Sequence, residues 1–315
     1  MKKILIKLLI IIISVIVIDR SLTYIFDKVV FSKTMSGETG GTVNYLIKKK
    51  KDKDFLILGS SRAKYHLDPS LLTNYYNGNG YNAGISGTGG LIYNDLLLRL
   101  LTSKGIKPKA IMLQVDIYPY FTTDDEKTEN EFLQLYPFIG QSDSLRAFIY
   151  RNVDYTEKFK LFFHTYRYNG KFLNVIYNYA KRKSVKDNNG FVGLPAKFDT
   201  TGFRIKDDLA KKHTFSQAKI NALLGIVQTC KANNIKLSIV FSPSYQNSLY
   251  LPEGNTMITT LLRNNGVQDI YDYSQLDSLP SSLQAPSMWK DALHLNKEGA
   301  AIFSTILNEA IAAHH

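Results

Sequence analysis

A serine, a histidine and an aspartate are placed where they could do chemistry together. Ser61 ends the triplet Gly59-Ser60-Ser61, directly after the apolar run Phe55-Leu56-Ile57-Leu58, while Asp291 and His294 stand three residues apart near the other end of the chain. A serine hydroxyl is a poor nucleophile at neutral pH until a base takes its proton, and an imidazole serves best when a carboxylate fixes its tautomer. The chemistry implied is acyl transfer through a seryl ester, with Ser61 as nucleophile, His294 as general acid and base, and Asp291 orienting the ring. Taken singly, Gly-Ser after a strand is a turn signal and Asp-x-x-His says little. Paired in this order, they are far more specific.

These residues need elements to carry them. Residues 54–62 read as a short buried strand that delivers its serines to the carboxyl end, the edge bordering the ligand crevice of an open parallel sheet. A second strand over 80–85 runs into the glycine-rich turn 84–90, a helix follows over 91–102, and a third strand over 110–115 ends at Asp116. Farther on, Ile220, Leu223, Leu224, Val227 and Cys230 mark one face of a helix over 216–233. A fourth strand over 235–241 and a weaker fifth over 267–270 precede a last helix, capped by Asn296 and running through Ala312, with Asp291 and His294 at its start. This alternation predicts an α/β fold: a three-layer sandwich around a central five-stranded parallel sheet. Residues 120–216 break the pattern and read as an insertion. It is acidic over 124–131, crowded with Tyr and Phe over 132–179 and loop-like over 188–203, a length that suits the wall or lid of a site. His164 and His213 lie in it without evident partners.

Composition narrows the class. With 315 residues, 44% of them hydrophobic, the chain has ample material for a core, and disorder is excluded. Cys230 is the only cysteine, so no intramolecular disulfide forms. Of the net charge of +12, eleven basic against four acidic residues through Lys53 supply +7. That skew suits anionic lipid or wall polymer near the N-terminus, and no zinc-knuckle or RNP-like run points to nucleic acid. Residues 4–18 are apolar apart from Lys7 and Ser14. At ~1.5 Å per residue they span about 22 Å, less than the ~30 Å hydrocarbon layer, so a transmembrane helix must recruit residues 22–26. The expectation is an uncleaved anchor over 1–31, a polar basic tether over 32–53 and a catalytic domain over 54–315.

Three segments together resemble the SGNH (GDSL-like) hydrolase superfamily: Gly59-Ser60-Ser61, Asn82-Ala83-Gly84-Ile85-Ser86-Gly87 and Asp291-Ala292-Leu293-His294. The resemblance covers about residues 54–312, with the insertion matching least. It implies a flavodoxin-like sheet and acyl transfer with neither metal nor dissociable cofactor. It also makes Ser61 rather than Ser60 the nucleophile, with the amides of Ser61 and Gly87 holding the oxyanion. One block departs. Where the family has Gly-x-Asn-Asp after the third strand, this chain has Gln114-Val115-Asp116-Ile117-Tyr118, so Asp116 stands near the place of an asparagine donor. A carboxylate is repelled by an oxyanion unless protonated, and loss of one such donor costs ~10²- to 10³-fold in rate. Together with the anchor, the pattern is similar to membrane-anchored proteins that modify cell-surface polymers, such as alginate O-acetyltransferases and D-alanyl-lipoteichoic acid biosynthesis proteins. The implied setting is the cytoplasmic membrane, single-pass, with the catalytic domain outside. The implied partners are a cell-surface polysaccharide and a membrane-bound O-acyltransferase. The missing asparagine leaves a second reading, a non-catalytic SGNH-like domain that binds glycan or docks such an acyltransferase. A nucleotide-binding loop over 84–90 is set aside, because Gly-x-x-Gly-x-Gly is not the dinucleotide fingerprint. Arg62, His66 and Trp289 stay outside the catalytic set.

Overall fold

The computed structural model describes residues 1–49, 52–87, 90–117, 121, 131–181, 188–195, 197–201, 203, 215–245 and 252–314. His213, Tyr118 and the turn residues Thr88 and Gly89, noted in the sequence, lie outside the described residues. Two compact units are present, one made of residues 1–49 and 132–186, the other of residues 50–131 and 187–315. In chain order the α-helices of more than four residues among the described residues are α1 (Lys2–Val29), α2 (Gly41–Lys49), α3 (Ser61–His66), α4 (Leu91–Ser103) and α5 (Asp143–Asn152). They continue as α6 (Tyr155–Phe162), α7 (Phe172–Ala180), α8 (Gln217–Ala232), α9 (Pro252–Asn264) and α10 (Lys297–Ala313).

The larger unit holds the sheet. Its strands are β1 (Phe55–Leu58), β2 (Gly80–Asn82), β3 (Ala110–Val115), β4 (Lys236–Phe241) and β5 (Ile270–Asp272), all parallel and in the order β2-β1-β3-β4-β5. Each residue of β1 and β3 is buried, which explains why β1 reads as an unbroken apolar run and β3 as one broken only by Gln114, rather than as alternating strands. Phe55, Ile57, Met112 and Val240 point to one face, where Ala63 and Leu67 meet Phe303, Leu307 and Ile311 of α10. On the other side α4 and α8 pack against each other, and α8 meets β4. Burying each Leu, Ile or Phe contributes about 1.5–3 kcal/mol, so the doubly covered sheet is a stiff platform. The strand order reverses between β1 and β3, and the carboxyl ends of those two strands carry Ser60-Ser61 and Asp116.

Several expectations shift in detail. The fifth strand starts at Ile270, because Val267 closes α9 instead: its amide donates to the Leu262 carbonyl at 3.0 Å across Gly266, whose φ is +77°. The last helix begins at Lys297, with Asn296 Oδ1 accepting from the Gly299 amide at 2.9 Å as its cap. Asp291 and His294 therefore precede the helix. The insertion does not stay together. Residues 132–181 join α1 in the smaller unit, whereas the later part returns to the sheet unit, where Asn82 N donates to Asn189 O at 2.7 Å and Ser216 N to Phe121 O at 2.6 Å.

In the smaller unit, the stretch expected as a free tether is folded. Helix α2 buries Val43, Asn44 and Leu46, and the Asn44 side chain donates to Phe31 O at 2.7 Å and Thr34 O at 3.3 Å. The transmembrane helix expected at the N-terminus lacks support: no helix of the described residues is long and apolar enough to cross a membrane. Lys7 interrupts the apolar run of α1, and Asp19-Arg20 ends it. Its large apolar side chains from Ile4 to Ile18, all but the partly buried Ile16, are nonetheless exposed.

Candidate active site

The nucleophile loop begins with a glycine that nothing else can replace. Gly59 has φ +145°, and a Cβ there would stand 2.8 Å from Ala63 Cβ and 2.9 Å from Gln114 Cβ. The chain turns at this point directly into α3. Ser60 is its N-cap: its Oγ accepts from the Arg62 amide at 3.1 Å and faces Gln114 Oε1 at 2.9 Å and Asp116 Oδ2 at 3.2 Å. With Ser60 committed to the backbone, Ser61 is the hydroxyl left for the crevice. Its Oγ lies 2.8 Å from His294 Nε2.

The other two members come from a tight turn. Trp289 and Leu295 form an antiparallel bridge, and Lys290 N donates to His294 O at 2.8 Å, closing the loop between them. Asp291 Oδ1 accepts from the amides of Leu293 at 2.8 Å and His294 at 3.0 Å, an Asx turn that requires this three-residue spacing. The same carboxylate lies 3.0 Å and 3.1 Å from His294 Nδ1. With Nδ1–H donating to Asp291, Nε2 is an acceptor aimed at the serine proton. Burial pushes the Asp291 carboxyl up, but the imidazole and the two amides outweigh it and hold the group below the ordinary carboxylate range. Ser61 and the Asp291–His294 pair, more than two hundred residues apart, thus form one hydrogen-bonded line, able to generate a serine alkoxide equivalent.

Neighbouring residues brace this line. Asn82 donates to Ala63 O and Leu67 O, both at 2.7 Å, and accepts from Gly84 N at 2.9 Å, so the strand-two turn is pinned to the carboxyl end of α3. Tyr65 OH is 2.8 Å from Ser86 Oγ, and its ring meets His294 edge-on at 5.5 Å. Gly87 follows with φ +78° and open space where a Cβ would stand. His66, fully buried, accepts from the Leu295 amide through Nε2 at 3.0 Å and so ties the end of α3 to the turn bearing His294. Burial first, then the nearby His294 and Arg62, hold the His66 imidazole well below its ordinary range, so it is neutral. Trp289 is core: its indole is buried and donates to Leu283 O at 2.7 Å.

Asp116, near the place where the family has its asparagine donor, is surrounded by donors. It is buried and ion-paired with Arg62, and Gln114 Nε2 donates to it as well. Gln114 Oε1 takes the Ser60 amide at 3.2 Å, and Arg62 also donates to Ser242 O at 3.2 Å. Burial raises the Asp116 carboxyl, and Arg62 foremost opposes that rise. Its oxygens accept from Ser60, Arg62 and Gln114, so the carboxylate lies behind the nucleophile loop as an acceptor. Arg62 and His66, kept outside the catalytic set in the sequence, are both buried, and their i and i+4 spacing puts them on one face of α3. Gln114 gave a signal in the sequence, as an amide inside an otherwise apolar strand. His164, by contrast, lies in the smaller unit, where its amide donates to Asp19 at 2.8 Å.

Among the described residues no group of three or more His, Cys, Asp or Glu side chains is placed to hold a metal ion. No protein-family model matches the chain, and no curated protein is a match to it.

Proposed function

We propose that this chain is a serine-dependent acyl-transfer enzyme of the SGNH (GDSL-like) type, acting as an O-acyltransferase or esterase on an extracytoplasmic cell-surface glycan. The observation that carries the reading is the line Ser61 Oγ to His294 Nε2 at 2.8 Å and His294 Nδ1 to Asp291 at 3.0 Å, set at the reversal point of a parallel sheet. In the proposed cycle His294 takes the Ser61 proton as Oγ bonds to the acyl carbonyl carbon. The amides of Ser61 and Gly87 face the carbonyl oxygen as it gains charge. Collapse breaks the bond to the leaving alcohol, which collects the proton from His294 and leaves a seryl ester. Water or a sugar hydroxyl then repeats the steps in reverse roles. Asp291 stabilises the imidazolium that exists between the two transfers. The cycle uses neither metal nor dissociable cofactor.

The exposed apolar side chains of α1 support attachment to the cytoplasmic membrane, with the sheet unit on the outer side and a membrane-bound O-acyltransferase as the acyl source. A second reading, a non-catalytic glycan-binding or docking domain, is favoured by the closed Arg62–Asp116–Gln114 network, which supplies no side-chain donor to an oxyanion. Mass spectrometry separates the two. Incubated with acetyl and longer acyl esters, the full chain gains one acyl mass on Ser61, and Ser61→Ala gains none. A chain that binds polysaccharide but never acquires the adduct under any donor contradicts the enzymatic reading.

A further inference from the structure

Two helices of the smaller unit expose apolar stripes. On α6 the stripe is Tyr155, Phe159 and Phe162, at positions i, i+4 and i+7; on α7 it is Phe172, Leu173, Ile176 and Tyr177. Phe159 is 69% exposed and Leu173 77%, although the opposite faces of the same helices already bury Leu161 and Val175. Both helices are therefore apolar on two sides. In a soluble fold one side suffices, and an exposed aromatic stripe of this kind marks an interaction surface.

What lies beside the stripes identifies the occupant. Phe172 stacks on Phe26 of α1 at 4.7 Å, and the Arg20 guanidinium sits 5.2 Å over Phe162. The stripes are thus continuous with the exposed apolar side chains Leu22 and Ile25 of α1 and, through them, with the run over 4–18. The same segment covers the acidic residue that ends that run. Asp19 is buried, pairs with Arg20 at 2.9 Å and accepts from His164 N at 2.8 Å and from Thr165 N and Oγ at 3.0 and 2.6 Å. Between Phe159, Phe163, Tyr166 and Phe172 lies an open depression of about 550 Å³, with Lys160 on its lining. From Arg151 to Lys181 there are six basic residues against two acidic ones, and Lys158 and Lys181 lie over the rings of Tyr155 and Tyr177 at 4.9 and 4.5 Å. Aromatic rings with basic side chains at their rims are what the headgroup layer of an anionic bilayer accommodates, rings at the acyl boundary and ammonium groups among the phosphates.

We infer that α6 and α7 form a collar that seats the smaller unit in the surface of an anionic lipid bilayer, at the depth where Asp19 and Arg20 leave the apolar run of α1. This rests on the membrane attachment proposed above and adds a surface to it. The turn that joins α6 to α7 also supplies what α1 lacks, since its His164 and Thr165 bury Asp19 inside protein, while Arg20 stays partly exposed with the Phe162 ring beside it.

Spin labels on the full chain test this in nanodiscs containing phosphatidylglycerol. In a Cys230→Ser background, single labels go on Phe159→Cys and Leu173→Cys in the collar, Ile10→Cys in α1 and Arg146→Cys on α5. The collar predicts that labels at 159 and 173 are relaxed more by dissolved oxygen than by an aqueous nickel chelate, with the reverse at 146. If 159 and 173 behave like 146 while 10 is immersed, the collar is wrong and the anchor stands. If 10 is aqueous the anchor reading falls, and the collar is still decided by 159 and 173. Shielding of 159 and 173 from both reagents means that protein covers the stripes, which overturns a lipid occupant.

Discussion

Two neighbouring strand ends make opposite use of polar residues. After β1, Ser61 and His294 are half-buried and joined in a line that still has an open side; after β3, Asp116, Gln114 and Arg62 are buried and consume one another's hydrogen bonds. The first arrangement has capacity left for a ligand. The second has none and instead holds the loop on which the first depends, through Ser60. The chemistry and the stability of this crevice are therefore separable, and substitutions at the two ends should fail in different ways.

The largest contrast is in activity. Ser61→Ala should remove ester turnover while leaving the melting temperature within a few degrees of wild type, because among the described residues the hydroxyl has no partner other than His294. Asp291→Asn comes next, with an expected loss of about 10³- to 10⁴-fold in kcat, since the amide no longer fixes the Nδ1–H tautomer. Steady-state kinetics on an activated ester reads both. Equal rates in wild type and Asp291→Asn would show that the line is structural.

At the β3 end the expected effect is on folding. Arg62→Met leaves Asp116 buried without its cation and should cost about 3–5 kcal/mol in urea unfolding, whereas the Arg62→Met/Asp116→Leu pair should recover much of the loss. No recovery in the double variant would mean that Arg62 matters for more than its partner. The smallest effect concerns His66. Its folded pKa lies well below the unfolded value near 6.5, so the unfolded chain alone takes up a proton as pH falls below that value. The resulting stability is fully present above about pH 6.5 and declines by about 1.4 kcal/mol per pH unit beneath it. His66→Gln should flatten the slope between pH 6.5 and 5.5 relative to wild type, and an unchanged slope would refute a neutral, buried imidazole.

How much of this was legible in the sequence depends on the range of the interaction that decides each feature. Strand β1 and the Gly59 turn are decided within a few residues, and their residue types announce them; the Asx turn of Asp291 is as local, yet it read as the start of the last helix. The pairing of Ser61 with His294 followed only because serine chemistry needs a base, not because spacing could show contact across the chain. The Arg62–Asp116 pair and the His66–Leu295 bond were hidden for the same reason: each joins groups distant in sequence, and a charged residue near a helix start reads as solvated. The stretch over 41–49 looked like a tether because Lys48 and Lys49 dominate its composition, although Val43 and Leu46, three apart, are the residues that bury it. The insertion was legible as a break in the α/β pattern. Its division between two units was not, since nothing local records which core an aromatic joins.

The most direct measurement is covalent labelling of the full chain with a fluorophosphonate, followed by peptide mass spectrometry. A hydroxyl activated by His294 should take up one phosphonyl group, on Ser61, with labelling abolished in Ser61→Ala and strongly slowed in His294→Ala. Equal labelling of wild type and Ser61→Ala, or an adduct on Ser60 instead, would contradict the assignment.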